Sequence, residues 1–287
     1  MKKLIAMMLA LILVVSCFAA CGAQDATADQ TPTADQTQPA ADDTTAAAEE
    51  DDGTETDLEY VLANGTLVVG ITEYEPMDYK DENGEWTGFD AELAREFAAE
   101  LGVECEFFVL ADWGKKFFEL DAMNIDCVWN GMTITEEATS NSTVSDPYVI
   151  NAQVVVMAED KLANYADAES MMDLTFAVEE GSAGQSVAEE AGLKTVAKQD
   201  QAGALMEVAA GTADACVIDI TMAKAMTGEG TDYASLGIGI SLSSEEYGVS
   251  FRTGSQLAEK LNEFLDAKKA DGSLQELADK YQLTLAE

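Results

Sequence analysis

The stretch Ile125-Asp126-Cys127-Val128-Trp129-Asn130-Gly131-Met132-Thr133-Ile134-Thr135-Glu136 decides how this chain is read. Ile125 to Trp129 is a short apolar run of strand length, and the segment before it, Trp113 to Ala122, reads as a helix. The same order returns further on. Phe118-Glu119-Leu120 followed by Ile125-Asp126-Cys127-Val128-Trp129 runs parallel to Met206-Glu207-Val208 followed by Ala213-Asp214-Ala215-Cys216-Val217. Both copies read as helix, short turn, Asp, buried strand, so the two halves of the chain are expected to be similar α/β lobes. In such sheets ligands sit beyond the carboxyl ends of strands. The residues there are Asn130 to Thr133 in one half and Asp219-Ile220-Thr221 in the other.

Outward from these stretches the alternation continues. Thr66 to Ile71 is a β-branched strand, and Asp81-Glu82-Asn83-Gly84 between Met77–Lys80 and Glu85–Thr87 predicts a hairpin. Phe89, Leu93, Phe97 and Leu101 make one helical face that Gly102 closes. Strands are expected at Cys105–Leu110, Gln153–Met157, Leu174–Val178 and Ala215–Ile218. Helices are expected at Ser186–Ala191, Ala202–Ala210, Ser255–Lys268 and Leu274–Tyr281. Strands alternating with helices argue for mostly parallel sheets flanked by helices.

The 287 residues are 47% hydrophobic and 24% charged, with 15 basic against 55 acidic side chains, a formal charge of −40, and no histidine. That charge repels phosphates, so nucleic acid is excluded as a partner. The lack of histidine removes Ser-His-Asp triads, Cys-His pairs and His-ligated zinc. Cys105, Cys127 and Cys216 match no zinc spacing and read as buried thiols, and the hairpin lacks a carboxylate at the first position of a calcium loop. No cofactor and no metal are expected.

Lys2 and Lys3 precede an uncharged run from Leu4 to Cys21 that ends in small residues, the pattern of a signal peptide, with a retained membrane anchor as the alternative. Ala23 to Asp57 holds 11 acidic residues, no basic ones and two of the chain's four prolines, and reads as a disordered linker. As a flexible coil it would reach roughly 33 Å. The expected boundaries are therefore a signal peptide at 1–20, an acidic linker at 21–57 and a folded part from Leu58 to Glu287.

An ordered set of motifs then carries a resemblance. It runs through Tyr74-Glu75-Pro76-Met77, Gly88-Phe89-Asp90, Asp112-Trp113, Gly131 to Glu136, Ser145-Asp146-Pro147-Tyr148, Val178 to Ser182, Asp214 to Asp219 and Tyr247-Gly248-Val249. It resembles the polar amino-acid solute-binding proteins of ABC transporters (bacterial extracellular solute-binding protein family 3), with the two-lobe type II periplasmic-binding-protein fold. The resemblance implies a first lobe of 58–152 plus 246–287, a second of 153–245, and two hinge crossovers near Ile150–Gln153 and Glu246–Val249. It implies a monomer that binds an amino acid or related amine in the interlobe cleft and delivers it to permease subunits. It also implies an extracytoplasmic protein tied to the outer face of the cytoplasmic membrane by lipid on Cys21, with Cys17 as the other lipobox match. A stand-alone sensor and a dehydratase-like enzyme are the alternatives.

By the same resemblance Tyr74 and Trp113 sandwich the ligand side chain. Asn130, Gly131 and Thr133 border its α-groups, Ser182 and Ala183 meet its carboxylate, and Asp219 pairs with its ammonium. One departure stands out. The family's carboxylate-clamping Arg is Ala138 here, and neither Arg95 nor Arg252 takes its place. Backbone amides alone, Lys115 or Lys116, or a ligand without an α-carboxylate would each answer this. Trp129, Glu73 and Glu75 are expected beside the site, where aromatic faces and carboxylates suit a cation.

Overall fold

A computed structural model describes residues 56–287. The expected signal peptide, Cys17, Cys21 and all of the expected linker up to residue 55 lie outside the described residues. Order begins earlier than expected. Thr56 N–H donates to Glu59 Oε2 at 2.9 Å and Glu59 N–H to Thr56 Oγ1 at 3.2 Å, a capping box that starts α1 (Asp57–Asn64). Asp57, expected in the linker, is thus the first residue of a helix.

The chain continues through β1 (Thr66–Ile71), a hairpin of β2 (Tyr79–Lys80) and β3 (Trp86–Thr87), α2 (Phe89–Leu101), β4 (Glu104–Val109), α3 (Lys116–Asp121), β5 (Cys127–Thr133), α4 (Glu136–Asn141), β6 (Thr143–Val144) and β7 (Val149–Asn151). Then come β8 (Gln153–Ala158), β9 (Thr175–Glu179), α5 (Ala183–Glu190), β10 (Lys194–Lys198), α6 (Gln201–Ala209), β11 (Ala215–Asp219), α7 (Ile220–Met226), β12 (Leu236–Ser241), β13 (Glu245–Phe251), α8 (Leu257–Asp271) and α9 (Ser273–Lys280). No described helix is long and apolar enough to cross a membrane.

Two sheets organise these elements. The first has the order β4-β1-β5-β13-β6, with β7 also on β13, and the second β10-β9-β11-β8-β12. In each, the first three strands are parallel and the fourth is antiparallel. The expectation of mostly parallel sheets therefore holds for one side of each sheet and is corrected on the other. There the antiparallel strands are the ones that pass the chain between sheets. The chain leaves the first sheet between Asn151 and Gln153, as expected, and returns between Ser241 and Glu245, earlier than the expected crossover at Glu246–Val249, which lies inside β13.

The internal echo is a shared device. Asp126 N–H donates to Val68 O at 2.7 Å, and its Oδ2 accepts from Val68 N–H at 2.8 Å. Asp214 does the same with Thr175, at 3.0 Å both ways. In each sheet this Asp locks the start of the central strand onto its parallel neighbour, which fixes register and aligns the carboxyl ends. Helix α2 packs Phe89, Leu93 and Phe97 into the core. Each such side chain contributes about 1.5–3 kcal/mol by leaving water. Gly102 ends this helix in the left-handed region at φ 78°.

Two helix starts differ from expectation. Trp113–Lys115 is a 3-10 turn that precedes α3, with Asp112 Oδ1 accepting from Gly114 N–H at 3.0 Å. Helix α5 begins at Ala183 rather than near Ser186, because Ser182 Oγ accepts from Gln185 N–H at 3.0 Å and caps it there.

Candidate functional site

The carboxyl ends of β1, β5, β9 and β11 converge on one cavity of about 330 Å³. This lies at the small end of ligand pockets, about 300–1,000 Å³. Tyr74, Trp113, Asn130, Gly131, Thr133, Ser182, Ala183 and Asp219 all line it. With Asp219, six carboxylate side chains line it, against one basic side chain, Lys116.

Asp219 ends β11 and is only 3% exposed. Its Oδ1 accepts from the side-chain amides of Asn151 and, at 2.7 Å, Gln153, and its Oδ2 from the Gln201 amide. Gln201 Oε1 accepts in return from Asp219 N–H at 2.9 Å. Gln153 sits directly opposite Asp219 across the β8–β11 pairing. No ion pair among the described residues engages this carboxylate. Burial, then the Glu245 charge, push its carboxyl up to about 7.

Glu179 ends the neighbouring strand β9 and is 4% exposed. Its Oε1 is buried without a hydrogen-bond partner. Burial pushes the carboxyl up to about 8, with Asp219 and Asp200 adding to it. Glu179, Gln153, Gln201, Asn151 and Glu245 were not among the expected site residues, although Asn151 and Gln153 fall in the expected crossover Ile150–Gln153 and Glu179 in the Val178 to Ser182 motif. Only Glu179 carried a signal there, as an acid directly after the strand expected to end at Val178, at the carboxyl edge where ligands sit.

Tyr74 is buried, and its hydroxyl bonds to Thr221 Oγ1 and, at 2.6 Å, to Tyr247 Oη. Gly131 lies against its ring: a Cβ there would stand 2.6 Å from Tyr74 Cε1, and Gly131 has φ +54°. The Gly131 N–H donates to buried Asp90 at 2.6 Å. Trp113 is buried as well, and Lys116 Nζ lies 4.9 Å from its ring centroid. That ammonium also reaches Trp113 O at 3.4 Å and Gly181 O at 3.3 Å, and burial holds it below the usual lysine range. Lys115 instead stands exposed, paired with Asp112 at 2.7 Å.

Several expectations need correction. Asn130 lines the cavity, but its Oδ1 accepts from Thr72 N–H and Oγ1, and its Nδ2 donates to Thr72 O and Asp78 Oδ2. That fills the amide's hydrogen-bonding capacity, so it shapes the wall. The Thr133 hydroxyl donates to Glu245 Oε1 at 2.8 Å. Trp129 is not beside the cavity: fully buried, it packs edge-on against Phe97 and Tyr148 in the core. Glu75 lines neighbouring grooves rather than this cavity, whereas Glu73 does line it. Ala138 is buried on α4 in an apolar cluster with Trp113, Leu120 and Met132, so no cation stands at that position. Arg95 donates to Trp86 O, and Arg252 is held by Asp57 and Asp126.

Comparison with known proteins agrees with this geometry. The L-cystine-binding protein TcyJ of Escherichia coli (strain K12) is 26% identical over 228 residues, covering 78% of this chain and 85% of its own. The arginine-binding extracellular protein ArtP of Bacillus subtilis (strain 168) is 28% identical over 225 residues, covering 75% and 85%. The crystal structure of the ancestral amino acid-binding protein AncCDT-1, a precursor of cyclohexadienyl dehydratase, superposes with a TM-score of 0.72 at 32% identity, covering 79% of this chain and 99% of that one. The two sheets, the cleft at their carboxyl ends and a family profile matching residues 67–284 agree: this chain belongs to the bacterial extracellular solute-binding proteins, family 3.

Proposed function

We propose that this chain is the extracytoplasmic binding component of an ABC importer, taking an amino acid or related amine between two lobes and presenting it to a permease. One observation carries the reading. Asp219 is a nearly fully buried carboxylate in a cavity wall, held by three neutral amides and paired with no cation. A buried anion without a counter-ion is unfavourable by several kcal/mol, and a ligand ammonium supplies one.

A ligand carboxylate has its own partners in the same wall. Lys116 is the one basic side chain lining the cavity. The first amides of α5, from Ala183, have no intrahelical acceptor and carry the partial positive charge of the helix N-terminus. The relatives named for arginine and cystine are consistent with an amino-acid cargo. Lobes of 58–152 with 246–287 and of 153–245 would close about the crossovers at Asn151–Gln153 and Ser241–Glu245. Lipid on Cys21 and the acidic stretch to residue 55 would hold them off the membrane.

Binding fits the site better than catalysis. Asp219 and Glu245 are both tied to the side-chain amides of Asn151 and Gln153, which fixes the direction of each carboxyl, and no paired acid and base emerges from them. The test is a thermal-shift screen of amino acids, polyamines and quaternary amines, followed by calorimetry on Asp219→Ala. A ligand that stabilises the native protein should lose its binding in that variant and be recovered chemically unchanged. Undiminished affinity would overturn the assignment, and a converted ligand would make the protein an enzyme.

A further inference from the structure

Glu179 has no function in the account above, yet the cavity is built around it as much as around Asp219. The two carboxylates end adjacent parallel strands, β9 and β11, of the same sheet. Asp219 has all its amide donors. Glu179 Oε1, in a side chain 96% removed from solvent, has none and lines the cavity. The cavity's lysine points its ammonium to carbonyl oxygens of Trp113 and Gly181. A zwitterion bringing a single ammonium would pair with Asp219 and leave Glu179 Oε1 still without a partner.

We infer that Glu179 is a specificity-determining second anion, and that the cavity selects ligands carrying two cationic groups, a dibasic amino acid or a diamine, over singly charged isosteres. This rests on the amine-binding reading of the same cavity. One cation meets Asp219 and the second meets the open oxygen of Glu179, so that both buried charges are balanced when the cleft shuts. A ligand lacking the second cation forgoes that pairing and leaves the buried Oε1 of Glu179 unsatisfied.

The test uses matched pairs of probes on the whole protein: L-arginine against citrulline, L-lysine against norleucine, and 1,5-diaminopentane against pentylamine, each by calorimetry. The dicationic member should bind at least tenfold tighter. Glu179→Gln should collapse that ratio toward one by weakening the dicationic member, and Glu179→Asp should restore part of it. Apparent melting temperature without ligand, unchanged or raised in Glu179→Gln, shows that the variant folds. Equal affinities within each pair in the native protein, or a ratio that survives Glu179→Gln, would overturn the inference and leave amino-acid binding intact. Diamines that bind where no amino acid does would support it while removing the amino-acid reading. A native protein that ignores every probe would end both.

Discussion

Asp219 and Glu245 share one pair of amides: Asn151 and Gln153 each donate from the same side-chain nitrogen to both carboxylates. The donors sit on the first passage between the sheets and Glu245 on the second, so the ligand's proposed counter-ion is bonded to the first of the segments about which the lobes would turn and, through the shared amides, linked to the second. Leu242 N–H donating to Gln153 O at 2.8 Å and Gln153 N–H to Ser243 Oγ at 3.0 Å tie those passages together. Asn151→Ala removes a donor from both anions at once. It should destabilise the ligand-free protein by about 1–3 kcal/mol in denaturant titrations at neutral pH. An unchanged midpoint would mean that water replaces the amide fully.

The carboxyls of Asp90 and Asp219 are pushed up to about 7 and that of Glu179 to about 8, in each case chiefly by burial. A carboxyl whose pKa is higher folded than unfolded binds protons more tightly in the native state. It therefore stabilises the fold below its unfolded value near 4 and loses that contribution as pH rises through 7 to 8. The ligand-free protein should melt progressively lower from pH 5 to pH 8.5. A cationic ligand favours the ionised forms, so its affinity should rise over the same window, by about tenfold per pH unit at most for each proton released. Calorimetry in buffers of different ionisation enthalpy counts those protons. Zero net release at pH 6.5 would contradict the buried-carboxylate account.

Gly131 is fixed by the ring above it. A methyl group there meets Tyr74 Cε1 at 2.6 Å and Tyr247 Cε2 at 3.1 Å, on a backbone with φ +54°. Neither ring can yield easily, since their hydroxyls are bonded to each other and to Thr221. Gly131→Ala should lower stability by about 1–3 kcal/mol and displace Tyr74 from the cavity wall, weakening ligand binding at least tenfold. A crystal structure of the variant with Tyr74 unmoved would refute this.

Much of this was legible in the sequence where the pattern is local. Thr66–Ile71 and Phe89–Leu101 fall where β-branching and four-residue apolar spacing place them, with Gly102 closing the helix. The duplicated Asp before a buried strand marked the pseudo-repeat. Trp129 was misplaced because β5 is buried on both faces, so no alternation tells which side chain faces the cavity and which the core. Asn151 and Gln153 were expected only as part of a crossover and Glu245 not at all, and their role at the site was hidden for another reason. Their bonds to one another and to Asp219 span 66 to 94 residues and belong to the meeting of two passages, which no periodicity encodes. Glu179 was one acid among 55, marked in the sequence only by its place directly after the strand expected to end at Val178, and its burial was not encoded there.

Arg252 shows where the chain's scarce positive charge was placed instead. Its guanidinium meets Asp57 Oδ1 at 2.5 Å and Asp126 Oδ1 at 2.8 Å and donates to Ile125 O at 2.5 Å, joining α1 to the foot of β5. Arg252→Gln leaves Asp126 buried without its cation. Losing one partner of such a pair costs about 3–5 kcal/mol. Urea unfolding should register that loss while ligand affinity, measured well below the midpoint, stays within twofold. A comparable fall in affinity would connect this cluster to the cleft, against its placement at the opposite end of the strands.

Across the cavity mouth the two halves meet at glycine on glycine. A Cβ on Gly181 would stand 2.7 Å from the Cα of Gly114, and Gly181 has φ +72°. Gly181 O also accepts from Lys116 Nζ, so the contact joins the 3-10 turn before α3 to the loop before α5. Nothing flexible lies in the way: both partners are backbone, and a side chain can be accommodated only by holding the halves apart. Gly181→Ala should therefore leave each sheet folded, weaken ligand binding at least tenfold through faster dissociation, and reduce the ligand-induced compaction seen by small-angle scattering. Glycine at 114 cannot retreat without uncapping Asp112, whose Oδ1 accepts its N–H. If the alanine variant binds and compacts like the native protein, this contact is not part of closure, and the halves must meet through Tyr74 and Thr221 instead.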